Sequence, residues 1–298
     1  MVLYCGFFLC AVCRRWTKRE IRFIFFIVSA AGLFAAVAAL IENPNLRAMN
    51  GGAVLKILGG AKNRNAVAFS LVPAALCSAV MLEFNRQKTL LFRIFYLLVL
   101  LVTTYTTIAT GGRSAGISAI GGIFLIVWEV TQHGRTANVQ LTKKVLIILA
   151  ALTALLVVLV LTKGTNSARL FNSVRDTNGR EYLWEFAKEL IRQKPVFGGG
   201  FAYWSSMGGP SLGTHNTVLN IMVLSGWVGA AFLAAVFLTV IFELWEKRNY
   251  ALMAFLGEVV CHTYSESGLD YYAYLPLALT YILFSYMKYQ QADLSSIF

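Results

Sequence analysis

Apolar residues in this chain fall in long, nearly unbroken runs rather than at the alternating spacing of strands or the heptads of a coiled coil. Runs cover 21–41, 66–82, 89–109, 114–131, 145–162, 216–245, 250–265 and 270–289. At about 1.5 Å of rise per residue, such runs match the roughly 30 Å hydrocarbon core of a bilayer. Residues 1–13 form a shorter run, the length of half a span or of a signal-peptide core. A basic cluster, Arg14, Arg15, Lys18 and Arg19, comes directly after it in place of a small-residue cleavage site. The pattern predicts an all-α, polytopic transmembrane helix bundle of about eight to nine spans. No internal repeat or low-complexity tract divides residues 1–298, which read as a single membrane domain.

The one long stretch that cannot be placed in lipid is 163–215. Within it, 179–194 reads as an amphipathic helix at the membrane surface. Leu183, Phe186, Ala187, Leu190 and Ile191 recur at helical spacing, with Glu181, Glu185, Lys188, Glu189 and Arg192 on the other side. Pro195 stops that helix, and 196–200, ending in three glycines, reads as a flexible turn. Gly208-Gly209-Pro210 then leads into Gly213-Thr214-His215.

Composition agrees with the pattern. The chain is 58% hydrophobic and 13% charged, and a soluble domain would carry roughly twice that charged fraction. Cys5, Cys10, Cys13, Cys77 and Cys261 all lie in apolar runs, so no disulfide framework is implied. Cys10-x-x-Cys13 has metal-like spacing but no second pair or histidine beside it, and small apolar packing is its simpler reading.

Net charge is +12. If the first run crosses inward, the inner segments are 14–20, 83–88, 132–144, 246–249 and the C-terminus, all short and basic as the positive-inside rule requires. The outer segments are then 42–65, 110–113, 163–215 and 266–269, and they are basic as well. Long loops cross largely regardless of charge, and a basic outer cavity suits an anionic, phosphate-bearing lipid.

That alternation brings three polar residues to one side. Arg113 follows Gly111-Gly112 at the end of a span; it is either a snorkelling anchor or a fixed donor fork for phosphate oxygens. Arg180 begins the loop helix, where the positive end of the helix dipole disfavours a cation unless something anionic is near: Glu181 or a bound diphosphate. His215 opens the next span. It reads as an ordinary interfacial histidine or, kept neutral by two neighbouring arginines, as a general base.

In order, Thr110-Gly-Gly-Arg113-Ser, Gly179-Arg180-x3-Trp184, Pro195-Val-Phe-Gly-Gly-Gly200 and His215-Asn216-x9-Gly226-x2-Gly229 resemble the O-antigen ligase and O-antigen polymerase family over roughly residues 40–290. Trp184 stands where family members often have leucine, and the chain is shorter than typical members, which carry several more N-terminal spans. The resemblance implies a metal-independent, inverting membrane glycosyltransferase without a cofactor, active at the extracytoplasmic face of the bacterial inner membrane. Its donor would be a glycan on undecaprenyl diphosphate, and its acceptor a growing glycan or the lipid A core. It implies His215 as base and Arg113 and Arg180 as diphosphate clamps; Asn216, Arg175, Tyr203 and Glu266 are further candidates for substrate binding. Asn216 equally fits a helix cap. Its partners would be these lipid-linked substrates and the membrane, with no nucleic acid.

Independently of the family, Glu258, His262 and Glu266 lie four apart on one helix face in mid-membrane, either as a structural group or as a functional one. Two other functions remain open: a transporter or flippase of lipid-linked glycans, which calls for paired broken helices near mid-membrane, and an accessory subunit of an assembly complex.

Overall fold

The computed structural model describes residues 14–46, 54–57, 59–84, 89–133, 180–210, 213–265, 276, 278–283 and 285–286. Helices dominate: α1 (Lys18–Glu42), α2 (Arg64–Phe84), α3 (Leu90–Ala109), α4 (Arg113–His133), α5 (Glu181–Gln193), α6 (Tyr203–Ser206), α7 (Thr217–Glu246) and α8 (Tyr250–Ser265). Among the described residues, Lys18–Glu42, Arg64–Glu83, Leu90–Ala109 and Thr217–Glu246 are long and apolar enough to cross a membrane; Ser114–Glu129 and Tyr250–Thr263 are shorter apolar helices. These coincide with six of the predicted runs. The run at 145–162 lies outside the described residues, and of 270–289 only 276, 278–283 and 285–286 are described, all helical. The chain is a multi-pass helical membrane protein.

Local chemistry sets the ends. Thr17 caps α1 through the Glu20 N–H at 3.3 Å, while the Glu20 carboxylate accepts from the Thr17 N–H at 2.9 Å, a reciprocal capping box. α2 is buried along most of its length and forms the centre of the core, with Phe69, Val72, Leu76 and Val80 packed among Phe25, Tyr96, Ile123 and Phe255. Small residues let the helices close on it. A Cβ at Gly32 of α1 would stand 2.1 Å from the Ala74 Cβ of α2, and the Ser29 and Ser78 hydroxyls bond across the same contact at 3.1 Å.

The all-α expectation needs one correction. Strands β1 (Val54–Ile57) and β2 (Gly60–Asn63) form an antiparallel hairpin with Ile57 opposite Gly60. Gly59, at φ +72°, supplies the left-handed turn. Four-residue strands are too short to show a period in the sequence. What stabilises them is tertiary: buried Asn43, just beyond α1, accepts from the Lys56 N–H at 3.0 Å and donates to the Lys56 carbonyl at 2.8 Å. Leu55 fills a second core with Ala36, Val67, Leu71 and Ala109.

Helix polarity follows from a buried carboxylate. Glu129, near the end of α4, accepts from the Ala251 N–H at 2.6 Å in the first turn of α8, where the helix dipole favours an anion. The end of α4 and the start of α8 therefore share one end of the bundle. Lys247 to Asn249 join α7 to α8, so α7 also ends there. The beginning of α4, where the Arg113 backbone lies, is therefore at the opposite end.

Candidate active site

His215 lies at the tip of a tight loop. Its φ is +48°, a left-handed conformation that costs a non-glycine residue on the order of 1 kcal/mol. The loop is closed from both flanks. The Thr214 hydroxyl accepts from the Asn216 N–H at 3.2 Å and donates to the Asn216 carbonyl at 2.7 Å. Thr214 and Asn216 are buried, and His215 between them is only half-buried. The Asn216 side chain caps α7, accepting from the Leu219 N–H at 3.0 Å. Of its two expected roles, the structure therefore displays the cap.

α5 reaches this loop directly. The Trp184 indole N–H donates to the Thr214 carbonyl at 3.1 Å, across thirty positions of sequence. Arg180 precedes Trp184 by one turn, and its own carbonyl accepts from the Trp184 N–H at 3.0 Å. The arginine at the head of α5 and the histidine at the head of α7 are thus joined through one tryptophan. α5 buries Ala187, Leu190 and Ile191 against Met222 and Val223 of α7 and Tyr203 of α6. Its other side is polar, where the Lys188 ammonium bonds the Glu185 carboxylate at 2.7 Å and holds that carboxyl below its usual range. Tyr203 belongs to the buried cluster: its hydroxyl donates to Gln193 at 3.0 Å, and its ring lies under the Lys194 ammonium.

α7 is not one continuous helix. Gly226 has φ +63° and ψ −159°, a conformation essentially confined to glycine. The backbone groups freed there are taken up by residues 195–200. Gly199 and Gly200 donate to the carbonyls of Val223 and Leu224, each at 2.9 Å. Trp227 and Val228 donate to the carbonyls of Pro195 and Val196, at 2.8 and 3.2 Å. The expected flexible turn is instead a segment pinned into the break. A Cβ at Gly226 would stand 2.2 Å from the Val196 oxygen, and one at Gly198 would stand 2.4 Å from the Leu224 carbonyl carbon. The spacing His-Asn-x9-Gly thus has a physical meaning: a cap, two and a half helical turns, and a break.

Sequence reasoning singled out His215 and Arg180 as candidates but missed the part played by Thr214 and the break at Gly226. Trp184 was visible only as a departure from a family pattern. Arg113 opens α4 after the Gly111-Gly112 turn, and a Cβ on Gly112 would stand 2.7 Å from Ala68 of α2. Arg175 and Glu266 lie outside the described residues. Glu258 and His262 are buried in α8, and the His262 ring meets Phe69 of α2 edge-on at 4.5 Å.

Residues 97–234 match the model of a family described as O-antigen ligase. Across that stretch the chain is O-antigen ligase-like. The match contains Arg113, Arg175, Arg180, Tyr203, His215, Asn216 and the Gly226 break, whereas Glu258, His262 and Glu266 fall beyond it. It is narrower than the 40–290 expected from the motifs. No curated protein and no solved structure matches the chain. That stretch is just under half of the chain, and the likeness over it points to an O-antigen ligase-type function in polysaccharide biosynthesis.

The Trp184–Thr214 bond gives a direct test of the site's architecture. Trp184→Phe keeps the aromatic packing and removes the donor, leaving the buried Thr214 carbonyl without it at a cost of about 1–3 kcal/mol. Glycan transfer should fall while the protein accumulates normally. Unchanged transfer in Trp184→Phe would show that the bond does not position the loop.

Proposed function

We propose that this protein transfers a glycan from undecaprenyl diphosphate to a sugar hydroxyl, at the extracytoplasmic face of the bacterial inner membrane. The observation that carries the proposal is the left-handed backbone of His215, kept at the half-buried tip of a loop whose flanks are buried and bonded to α5. A strained residue placed inside the matched family segment favours function over packing.

In the proposed reaction the acceptor hydroxyl oxygen attacks the anomeric carbon of the donor, and its proton passes to the His215 imidazole. The bond from that carbon to the phosphate oxygen breaks, and undecaprenyl diphosphate leaves with the electron pair. Arg180 and Arg113 stabilise the developing charge as planar donor forks. Attack opposite to the leaving group inverts the anomeric centre, and no metal or cofactor is required for these steps. Arg175, Tyr203, Asn216 and Glu266 are proposed as contributors to substrate binding; Tyr203 and Asn216 would act chiefly through the packing and capping described above.

A transporter reading would claim the broken α7, since broken helices form substrate sites in transporters. Against it, the groups freed at Gly226 are consumed by residues 195–200, and among the described residues no second broken helix pairs with it.

Two experiments test the proposal. In a deletion strain, lipid-linked chains that are never transferred should accumulate. Wild type should restore transfer, but Arg180→Lys and Arg113→Lys should restore little of it at equal protein level, because an ammonium lacks the bidentate fork. Full restoration by both lysine variants would leave the arginines as helix-end anchors. Orientation is tested by single cysteines: one at Ser206 should react with an impermeant maleimide in intact cells, and one at Ser296 only after lysis. Labelling of Ser296 in intact cells would reverse the proposed orientation.

A further inference from the structure

Between Lys194 and His215 the chain carries no charged residue, although 163–215 reads in sequence as the one long stretch that cannot be placed in lipid. Within this stretch Phe197 and Phe201 are 75% and 89% exposed, and Val196 is exposed beside them. They are not scattered surface residues. The bonds from Trp227 and Val228 to Pro195 and Val196 lay this segment alongside the start of the second half of α7. There Trp227 and Val228 are themselves exposed, and the apolar surface continues through Phe232, Val236 and Phe242.

The second half of α7 has the dimensions of a bilayer. Trp227 and Trp245 are both 59% exposed and stand eighteen positions apart, which is about 27 Å along a helix. Hydrocarbon cores are about 30 Å thick, and exposed tryptophans concentrate at their two boundaries. No charge appears between Trp227 and Glu243. The break at Gly226 therefore coincides with one membrane boundary. Non-helical backbone is tolerated at that depth only where its polar groups find partners within the protein, and the four bonds between 195–200 and α7 supply such partners to the groups freed at the break and to four groups of the segment.

We propose that residues 195–201 form a membrane-inserted wedge at the boundary on the His215 side of the bundle, with Phe197 and Phe201 against lipid acyl chains. The occupant is the bilayer itself, because the patch is continuous with the lipid-facing surface of α7. The wedge ties the loop bearing Arg180 and Trp184 to the bilayer surface, and its existence does not depend on the transferase reading.

The test places photoreactive p-benzoylphenylalanine singly at Phe197, Phe201, Phe232 or Glu189 in the full chain. Each variant is reconstituted into vesicles of phosphatidylethanolamine and phosphatidylglycerol, irradiated, and weighed by intact mass spectrometry. Phe197 and Phe201 are so exposed that the probe disturbs no packing. Variants at Phe197 and Phe201 should gain the mass of one phospholipid in a yield comparable to Phe232 on mid-α7. Glu189, on the polar side of α5, should gain none. Crosslinks from Phe197 and Phe201 to protein, either a second copy or another segment of the chain, would overturn the proposal. So would a lipid yield no greater than that of Glu189 while Phe232 reacts.

Discussion

Replacing His215 by alanine is expected to lower glycan transfer by about 10²- to 10⁴-fold, the usual contribution of a positioned general base. Protein level should not change, because His215 is half-buried at a loop tip and the loop is closed by Thr214 and Asn216. His215→Gly sharpens the test. At φ +48° glycine relieves the strain of about 1 kcal/mol that histidine bears, which offsets its larger entropy loss on folding, so the fold should be close to wild type in stability. A variant that melts close to the wild-type temperature and yet transfers nothing would separate chemistry from folding. A His215→Gly protein with wild-type transfer would mean that the imidazole has no part in the reaction.

The second large effect is expected at Gly226, in folding rather than in chemistry. Gly226→Val places a Cβ about 2.2 Å from the Val196 oxygen and 2.4 Å from its carbonyl carbon. These are backbone atoms, which cannot rotate away. Backbone strain at such a φ and ψ adds on the order of 1–3 kcal/mol, and separating the segment from the break forfeits four backbone bonds, each worth about 0.5–1.5 kcal/mol net. The total is comparable to the whole stability of an ordinary domain, about 5–15 kcal/mol. Gly226→Val should therefore accumulate poorly and lose its cooperative melting transition in detergent. Gly121→Ala in α4, where a Cβ meets nothing within 4 Å, should be neutral. Normal accumulation and melting of Gly226→Val would show that residues 195–200 do not occupy the break.

These two sites differ in how far the sequence reveals them. Spanning helices are legible because lipid offers no partner for backbone polar groups, so each span must be a long apolar run. Six predicted runs accordingly coincide with helices to within a few residues. The Gly226 break is not legible in the same way. A single glycine inside an apolar helix costs only about 1 kcal/mol and ordinarily leaves it intact; here the break exists because a segment some thirty residues earlier docks into it. The hairpin at 54–63 was missed for a related reason, since Asn43 supplies the partners that four-residue strands lack. At the site, the alternation of spans yields the expectation that Arg113 and His215 share one end. The link from Arg180 to His215 runs through the Trp184 indole and the Thr214 carbonyl, a contact that no local pattern encodes.

The central claim, that His215 is the base of a glycosyl transfer from a lipid diphosphate, is tested most directly with purified protein in lipid vesicles. The substrates are an undecaprenyl-diphosphate-linked glycan and an acceptor glycan, with glycosylated acceptor and released undecaprenyl diphosphate measured together. Wild type should form the two products in equal amounts, and His215→Gln, which keeps a polar side chain but cannot take up the proton, should form neither. Equal product formation by His215→Gln and wild type would contradict the account and favour a binding or transport role for this site.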